Sequence, residues 1–254
     1  MNKPKLLITH DGQFHADELF SIALLQHVFG DIPYKRIRTV TRDEFRDPLV
    51  WVLDQGMECS EEKHNFDHHQ SKALTATNLL ILKYLRKVGM IEPGLAELLR
   101  RPFMAISDYD RWGGLSFNGF QVNELIKTFN NHPNGFELAL ELAKAWLSSL
   151  ELLASKRTEG EIIFKNGQSI KGIIRVVSAF PVLWALMGTE KLLVAPESGG
   201  WRLHSSDTEN YPIVSTGKEV FLHENRFLAT YLTQPDAIEA AKLTARLESA
   251  CPIL

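Results

Sequence analysis

The sequence predicts an α/β protein: a domain built on a mainly parallel sheet, followed by a smaller C-terminal α/β domain. Three observations predict it. Short apolar runs alternate with stretches of helical period through the first half of the chain, which is the pattern of βαβ units. After Gly167 the pattern shifts to short strand-like runs closed by one helix. Histidines and aspartates stand just beyond the early apolar runs, at the strand ends where parallel sheets form their ligand crevice.

Taken in order, residues 5–9 (Lys-Leu-Leu-Ile-Thr) read as a buried strand, too short and too apolar for a surface helix. A helix follows over 17–29, where Leu19, Phe20, Ala23, Leu24, His27 and Val28 recur at helical spacing and Gly30 stops it. Strands are expected at 34–40 and 49–53, and a further short one at 64–66. Helices are expected over 74–88, stopped by Gly89, and from about 93 into the segment 106–114. The region 135–165 is helical almost throughout. Strands at 172–177, 191–195 and 201–204 and a helix at 235–249 complete the chain. The expected organisation is a catalytic domain over 1–133, a connecting helix over 134–166 and a substrate-binding domain over 167–254.

Composition excludes several classes. At 254 residues, 44% hydrophobic and 23% charged, the chain is long enough for one large or two small cores. A net charge of -3 supplies no global basic field, so stable binding of long duplex nucleic acid is not expected. Lys35-Arg36-Ile37-Arg38 and Arg100-Arg101 read as solvated faces. Cys59 and Cys251 lie far apart and form no C-x-x-C, which implies a reducing compartment without a disulfide framework. The first strand begins almost at Met1 and no apolar run reaches membrane-spanning length, so a cytoplasmic protein without a membrane partner is expected. No Walker-type or Gly-x-Gly-x-x-Gly loop supports a nucleotide cofactor.

The chemistry lies in three segments. The first is Thr9-His10-Asp11-Gly12-Gln13-Phe14-His15-Ala16-Asp17-Glu18, the second Trp51-Val52-Leu53-Asp54, and the third His64-Asn65-Phe66-Asp67-His68-His69-Gln70. Imidazole and carboxylate together suit mid-series divalent metals. Three or four donors satisfy one ion of the zinc type. His10, His15, Asp17, Asp54, His68 and one of Asp108 or Asp110 make six, so two divalent metals are expected, with Asp54 as the bridge. The remaining histidines have plainer readings: His27 as a core residue, His64 as a strand-end residue or a support for the cluster, His132 as loop. The tryptophans are expected mainly in the core, although Trp112 and Trp201 fall in motif segments. Arg202, His204 and His223 are candidates for phosphate contact from the C-terminal domain.

These motifs resemble the DHH phosphoesterase superfamily. Within it they are similar to the melanocyte-proliferating-gene branch, often labelled metal-dependent protein hydrolase. The branch's N-terminal motif is matched at Thr9, His10, Gly12, Phe14, His15, Asp17 and Glu18, and its Phe-Asp-His-His-Gln at 66–70. Gly200-Trp201-Arg202, Phe221-Leu222-His223 and Phe227-Leu228-Ala229 resemble its C-terminal motifs. The resemblance implies a DHH-type first domain in which His10, His15 and Asp54 hold one metal, and Asp17, Asp54, His68 and a later aspartate the other. It implies catalytic roles for His69, facing the substrate phosphate, and for Asp67, orienting the histidines. The branch's Asp-x-x-Asp-Asn-Gly is replaced here by Asp108-Tyr109-Asp110-Arg111-Trp112-Gly113, which leaves Asp108 and Asp110 as alternatives with Asp110 favoured.

At position 15 most DHH members carry aspartate. His15 lowers the negative charge of the cluster and favours metals softer than magnesium, manganese first among them, with iron, nickel and zinc as alternatives. The activity implied is phosphodiester hydrolysis, as a 3′-5′ exonuclease on short RNA or DNA. The alternatives are a small-molecule phosphohydrolase acting on pyrophosphate, a phosphonucleotide or a cyclic nucleotide, and a metal-dependent protein or peptide hydrolase. No H-E-x-x-H motif supports the last. Arg202 and His223 would bind substrate with His69, and a homodimer is a further expectation.

Overall fold

The computed structural model describes residues 2–113 and 121–246 of the chain. It divides into two compact units, 1–154 and 155–254.

The first unit is built on a five-stranded sheet. Its strands are β1 (Leu6–Thr9), β2 (Tyr34–Arg36), β3 (Val50–Leu53), β4 (Cys59–Ser60) and β5 (Asn65–Phe66), in the order β2-β1-β3-β5-β4. All pairs are parallel except β4 with β5 at the edge. Parallel strands need crossovers that cover the sheet, and the strands accordingly lack a polar face. All four residues of β3 are buried. Helix α1 (Ala16–Phe29) makes the first crossover. It is buried from Ala16 through Gln26, more completely than a one-sided periodicity suggests. Ile22 and Leu25 are fully enclosed along with the expected Leu19 and Leu24. A helix that is apolar all round is a core helix. The short α2 (Arg42–Arg46) begins at Thr41, whose hydroxyl accepts from the Glu44 N–H at 3.3 Å while Glu44 reaches back to the Thr41 N–H at 2.9 Å.

Helices α3 (Thr77–Lys87), α4 (Pro93–Trp112) and α5 (Val122–Phe129) complete the unit. Pro93 occupies the first helical position, where its missing N–H costs nothing. The core joins Leu7, Trp51 and Phe66 of the sheet to Leu24, Leu82 and Phe103 of the helices. Helix α6 (Gly135–Asn166) contributes Leu140, Ala143 and Leu147 to this core and, near its end, Phe164 to a small core of the second unit.

The second unit carries a six-stranded sheet: β6 (Gln168–Ile170), β7 (Ile174–Val176), β8 (Leu192–Glu197), β9 (Gly200–Ser205), β10 (Glu219–Leu222) and β11 (Leu228–Tyr231), ordered β10-β11-β9-β8-β7-β6. Only β7 and β8 run parallel. Helix α7 (Gln234–Thr244) covers one face through Ala237, Ala240 and Ala241, packed with Leu203, Ala229 and Tyr231. The expected closing helix extended to 249; residues 247–249 and Cys251 lie outside the described residues. Gly200, in the Gly-Trp-Arg motif, permits a close strand approach, since a Cβ there would collide with the carbonyl oxygen of Tyr231. Among the described residues no helix is long and apolar enough to cross a membrane, and Cys59 is a free, exposed thiol.

Candidate metal centre

The carboxyl ends of β1, β3 and β5 lie side by side because those strands are adjacent and parallel. Each delivers acidic or imidazole groups to the same edge. β1 ends at Thr9 and is followed by His10; β3 ends at Leu53 and is followed by Asp54; β5 ends at Phe66 and is followed by Asp67, His68 and His69. The first turn of α1 adds Asp17 and Glu18 behind its N-cap His15. Asp110 arrives from the last turns of α4.

Asp54 is central. It has a left-handed backbone, φ +57°, rare for a residue with a Cβ. Outliers of this kind persist where the surroundings hold them, and they concentrate at functional sites. Its two oxygens face different partners. Oδ2 lies 3.4 Å from His10 Nε2, and Oδ1 lies 3.3 Å from His68 Nε2. The Thr77 hydroxyl donates to Oδ1 at 3.2 Å. His68 Nε2 is also 3.2 Å from Asp110 Oδ2 and 3.7 Å from Asp17 Oδ2. His15 Nδ1 lies 3.6 Å from Asp110 Oδ1. Donor atoms fall into three groups, each with all atoms within 4.8 Å of one another: His10, His15, Glu18 and Asp54; Asp54, His68 and His69; His15, Asp17 and Asp110.

The electrostatics are those of a cation site. Asp17, Glu18 and Asp54 are buried. Burial pushes the Asp17 carboxyl well above its ordinary range, and the negative charges of Asp54, Asp110 and Glu18 push it further. Burial raises Glu18 too, against the pull of His10. For Asp54 burial is outweighed by the hydrogen bonds from His10 and His68, which hold it below the carboxylate range. His10 is pushed up to about 10 by its bonds to Asp54 and Glu18. His68 is lowered by burial but raised more by Asp110 and Asp54, to about 9. The acidic cluster is thus balanced by imidazolium charge. Asp17 Oδ1 and Glu18 Oε2 are buried without a hydrogen-bond partner. Buried polar groups are rarely left unpaired, and a metal is one remedy. Imidazole with carboxylate at this density fits divalent cations.

Neighbouring structure holds these groups in place. Asn130 accepts from the Phe14 N–H and donates to the Phe14 carbonyl, each at 2.9 Å, and Arg36 donates to the Gly12 carbonyl. Both fix the loop between His10 and His15. Helix α3 begins at the cluster. Its N-cap, Ala76, has no side chain to cap with, so the Thr77 N–H donates to Asp17 Oδ2 at 3.4 Å and the Ala76 N–H to Ser107 Oγ at 2.9 Å. The positive end of the helix dipole therefore faces the carboxylates.

The remaining residues singled out in the sequence divide clearly. Asp67 is buried; its Oδ1 accepts from His69 Nδ1–H and its Oδ2 from the Met57 N–H at 2.6 Å. Asp110 lies in the cluster, whereas the Asp108 side chain is 45% exposed and pairs with Arg111 at 3.9 Å. His64 stacks on Trp51 and bonds the Pro48 carbonyl and the Tyr84 hydroxyl, away from the cluster. In the second unit Arg202 and His204 share the sheet face with Leu193 and Ala195, the face opposite α7. Arg202 pairs with Glu197 and lies over the Phe180 ring, and His223 packs against Phe227. Sequence reasoning passed over Glu18. Its Oε1 lies 3.2 Å from His10 Nε2 and accepts from the His15 N–H at 2.8 Å. An acidic residue three places after a helix start reads as a cap, which concealed its place in the cluster. The signal was its position inside the N-terminal motif.

The sequence profile of the MYG1_exonuc family, described as an uncharacterised protein family (UPF0160), matches residues 6–82. That span contains the ends of β1, β3 and β5. The MYG1 resemblance holds. A MYG1 protein of Chlamydia trachomatis serovar D is 29% identical over 162 residues, covering 62% of this chain and 55% of the relative. A MYG1 protein of Chlamydia pneumoniae is 32% identical over 141 residues, covering 51% and 46%. The chain spans about half the length of the curated MYG1 relatives it matches. Among solved structures, the pGpG-specific phosphodiesterase PggH from Vibrio aligns over 95% of this chain and 98% of its own, with 11% identity and a TM-score of 0.33. At that score the pairing carries no functional argument.

Proposed function

We propose that this protein is a metal-dependent phosphodiester hydrolase that trims short RNA or DNA from the 3′ end. The observation that carries the reading is Asp54, a buried carboxylate presenting one oxygen to His10 and the other to His68. In this reading His10, His15 and Asp54, with Glu18 beside them, hold one divalent cation. Asp17, Asp54, His68 and Asp110 hold the second. Manganese is the proposed metal: the carboxylates suit it, and the three imidazoles favour a transition metal over magnesium. When bound, such ions polarise phosphoryl oxygens and make a water nucleophilic near neutral pH.

The chain's own groups do the rest. His69 is 54% exposed, and Asp67 holds its Nδ1 at 2.7 Å. Its Nε2 is left to donate to a phosphate oxygen or to a leaving group. The Asp67 carboxylate orients the ring and stabilises the imidazolium form that donation from Nε2 requires, which agrees with the raised His69 pKa caused by that bond. Thr77 and Asn130 keep Asp54 and the 10–15 loop from shifting as charge changes. The second unit is assigned to substrate binding, with Arg202 and His223 as its contacts.

A small-molecule phosphohydrolase is the second reading, favoured by the size of the pocket beside the cluster, about 250 Å³. Turnover with manganese of short RNA, short DNA, a cyclic dinucleotide, pyrophosphate and a peptide separates the readings. Stepwise release of mononucleotides from the 3′ end is expected. Hydrolysis confined to pyrophosphate or to the peptide overturns the proposal.

A further inference from the structure

Beside the cluster, Trp112 closes α4 and is 55% exposed. It lines the same pocket as His15, His68, His69 and Asp110. Lys72 and Arg111 complete the flank. The Arg111 guanidinium sits over the indole, 4.9 Å from its centroid. It is fixed there: Nη2 donates to the Lys72 carbonyl at 2.7 Å, and Nη1 lies 3.9 Å from Asp108. Lys72 makes no ion pair among the described residues.

A large aromatic exposed at the rim of a polar pocket needs a reason. Its flat face is a stacking surface for any base, and a cation held against an aromatic ring adds to such a platform. Lys72 supplies a cation suited to a phosphate oxygen. The pocket, about 250 Å³, is at the small end of ligand sites, which run roughly 300–1,000 Å³. That favours one nucleotide unit over a longer stretch. We infer that Trp112, backed by Arg111, is the platform on which the base of the bound nucleotide stacks, with Lys72 contacting its phosphate. The inference rests on the phosphodiesterase reading and assigns that site its base-recognition residue.

The test uses the 254-residue, manganese-loaded protein and two probes, adenosine 5′-monophosphate and ribose 5-phosphate, in isothermal titration. Trp112→Ala is expected to weaken the first on the order of tenfold and to leave the second unchanged. Trp112→Phe recovers most of the loss, and Lys72→Ala weakens both. In turnover, Trp112→Ala raises KM for an oligonucleotide with a terminal base, leaves kcat unchanged, and has no effect on the same oligonucleotide ending in an abasic residue. Equal losses for both probes, unchanged binding of both, or no binding of adenosine monophosphate by wild type overturns the inference. Turnover indifferent to Trp112 removes the platform and leaves the hydrolase. Base-dependent binding lost in Trp112→Ala, in a protein without phosphodiester turnover, supports the platform and removes the hydrolase.

Discussion

Asp67 grips His69 at two points. Its Oδ1 accepts from the imidazole Nδ1–H at 2.7 Å and from the His69 backbone N–H at 3.1 Å. Its neighbour His68 is only 8% exposed and faces Asp17, Asp54 and Asp110 instead. Two consecutive imidazoles are thus committed to different tasks by the groups they meet.

His69→Ala should therefore retain both metals and lose turnover by roughly 10²–10⁴-fold, the range of a positioned acid–base group. His68→Ala should lose metal as well. Metal content and kcat measured on the same preparations decide it; metal loss in His69→Ala with full loading of His68→Ala would reverse the roles.

Asp54→Asn removes charge from a buried carboxylate that faces His10 with one oxygen and His68 with the other. It is expected to reduce occupancy of both cations, whereas Asp17→Asn reduces chiefly one. Elemental analysis after gel filtration gives the stoichiometry. Two fully bound metals in Asp54→Asn would remove the bridge.

Glu18→Gln keeps an oxygen for the His15 N–H and deletes one charge beside His10. The helix start is preserved, so Tm should barely move. Affinity for one of the two cations should fall by about 10–100-fold, the usual effect of altering a group that supports metal ligands. A large drop in Tm with unchanged metal binding would make Glu18 only a cap.

Metal uptake should depend on pH with a definite sign. Without metal, His10 is raised to about 10 and His68 to about 9, so both carry protons at pH 7. Cations bind neutral imidazole, and each histidine must release its proton. Affinity is expected to rise with pH from 6 to about 10 and to level off above. Manganese titrations in buffers of different ionisation enthalpy should report proton release near pH 7. Affinity that is flat across this range would mean that neither imidazole binds metal.

Much of the cluster was legible because parallel strands deliver their ends to one edge. His10 and Asp54 stand one residue past β1 and β3, where the apolar runs stop. Asp108 and Asp110 could not be separated by pattern. Two residues apart on a helix they point about 200° away from each other, and which one faces His15 and His68 depends on how α4 packs. Helix α1 looked half buried because periodicity counts one face, while Ile22 and Leu25 are enclosed as well. Strands β10 and β11 escaped notice because each is only four residues long, and no residue of β10 is buried. Asn130 is 116 residues from Phe14, a contact that no local pattern announces.

The start of α3 borrows its cap from the cluster. The amide of Thr77 is held by Asp17, a carboxylate that a bound cation would also claim. Filling the centre thus competes for an oxygen that now protects a backbone hydrogen. Deuterium exchange at Thr77 becomes an internal gauge of loading, readable without substrate, dye or label. A silent centre and a working one would differ there before any product formed.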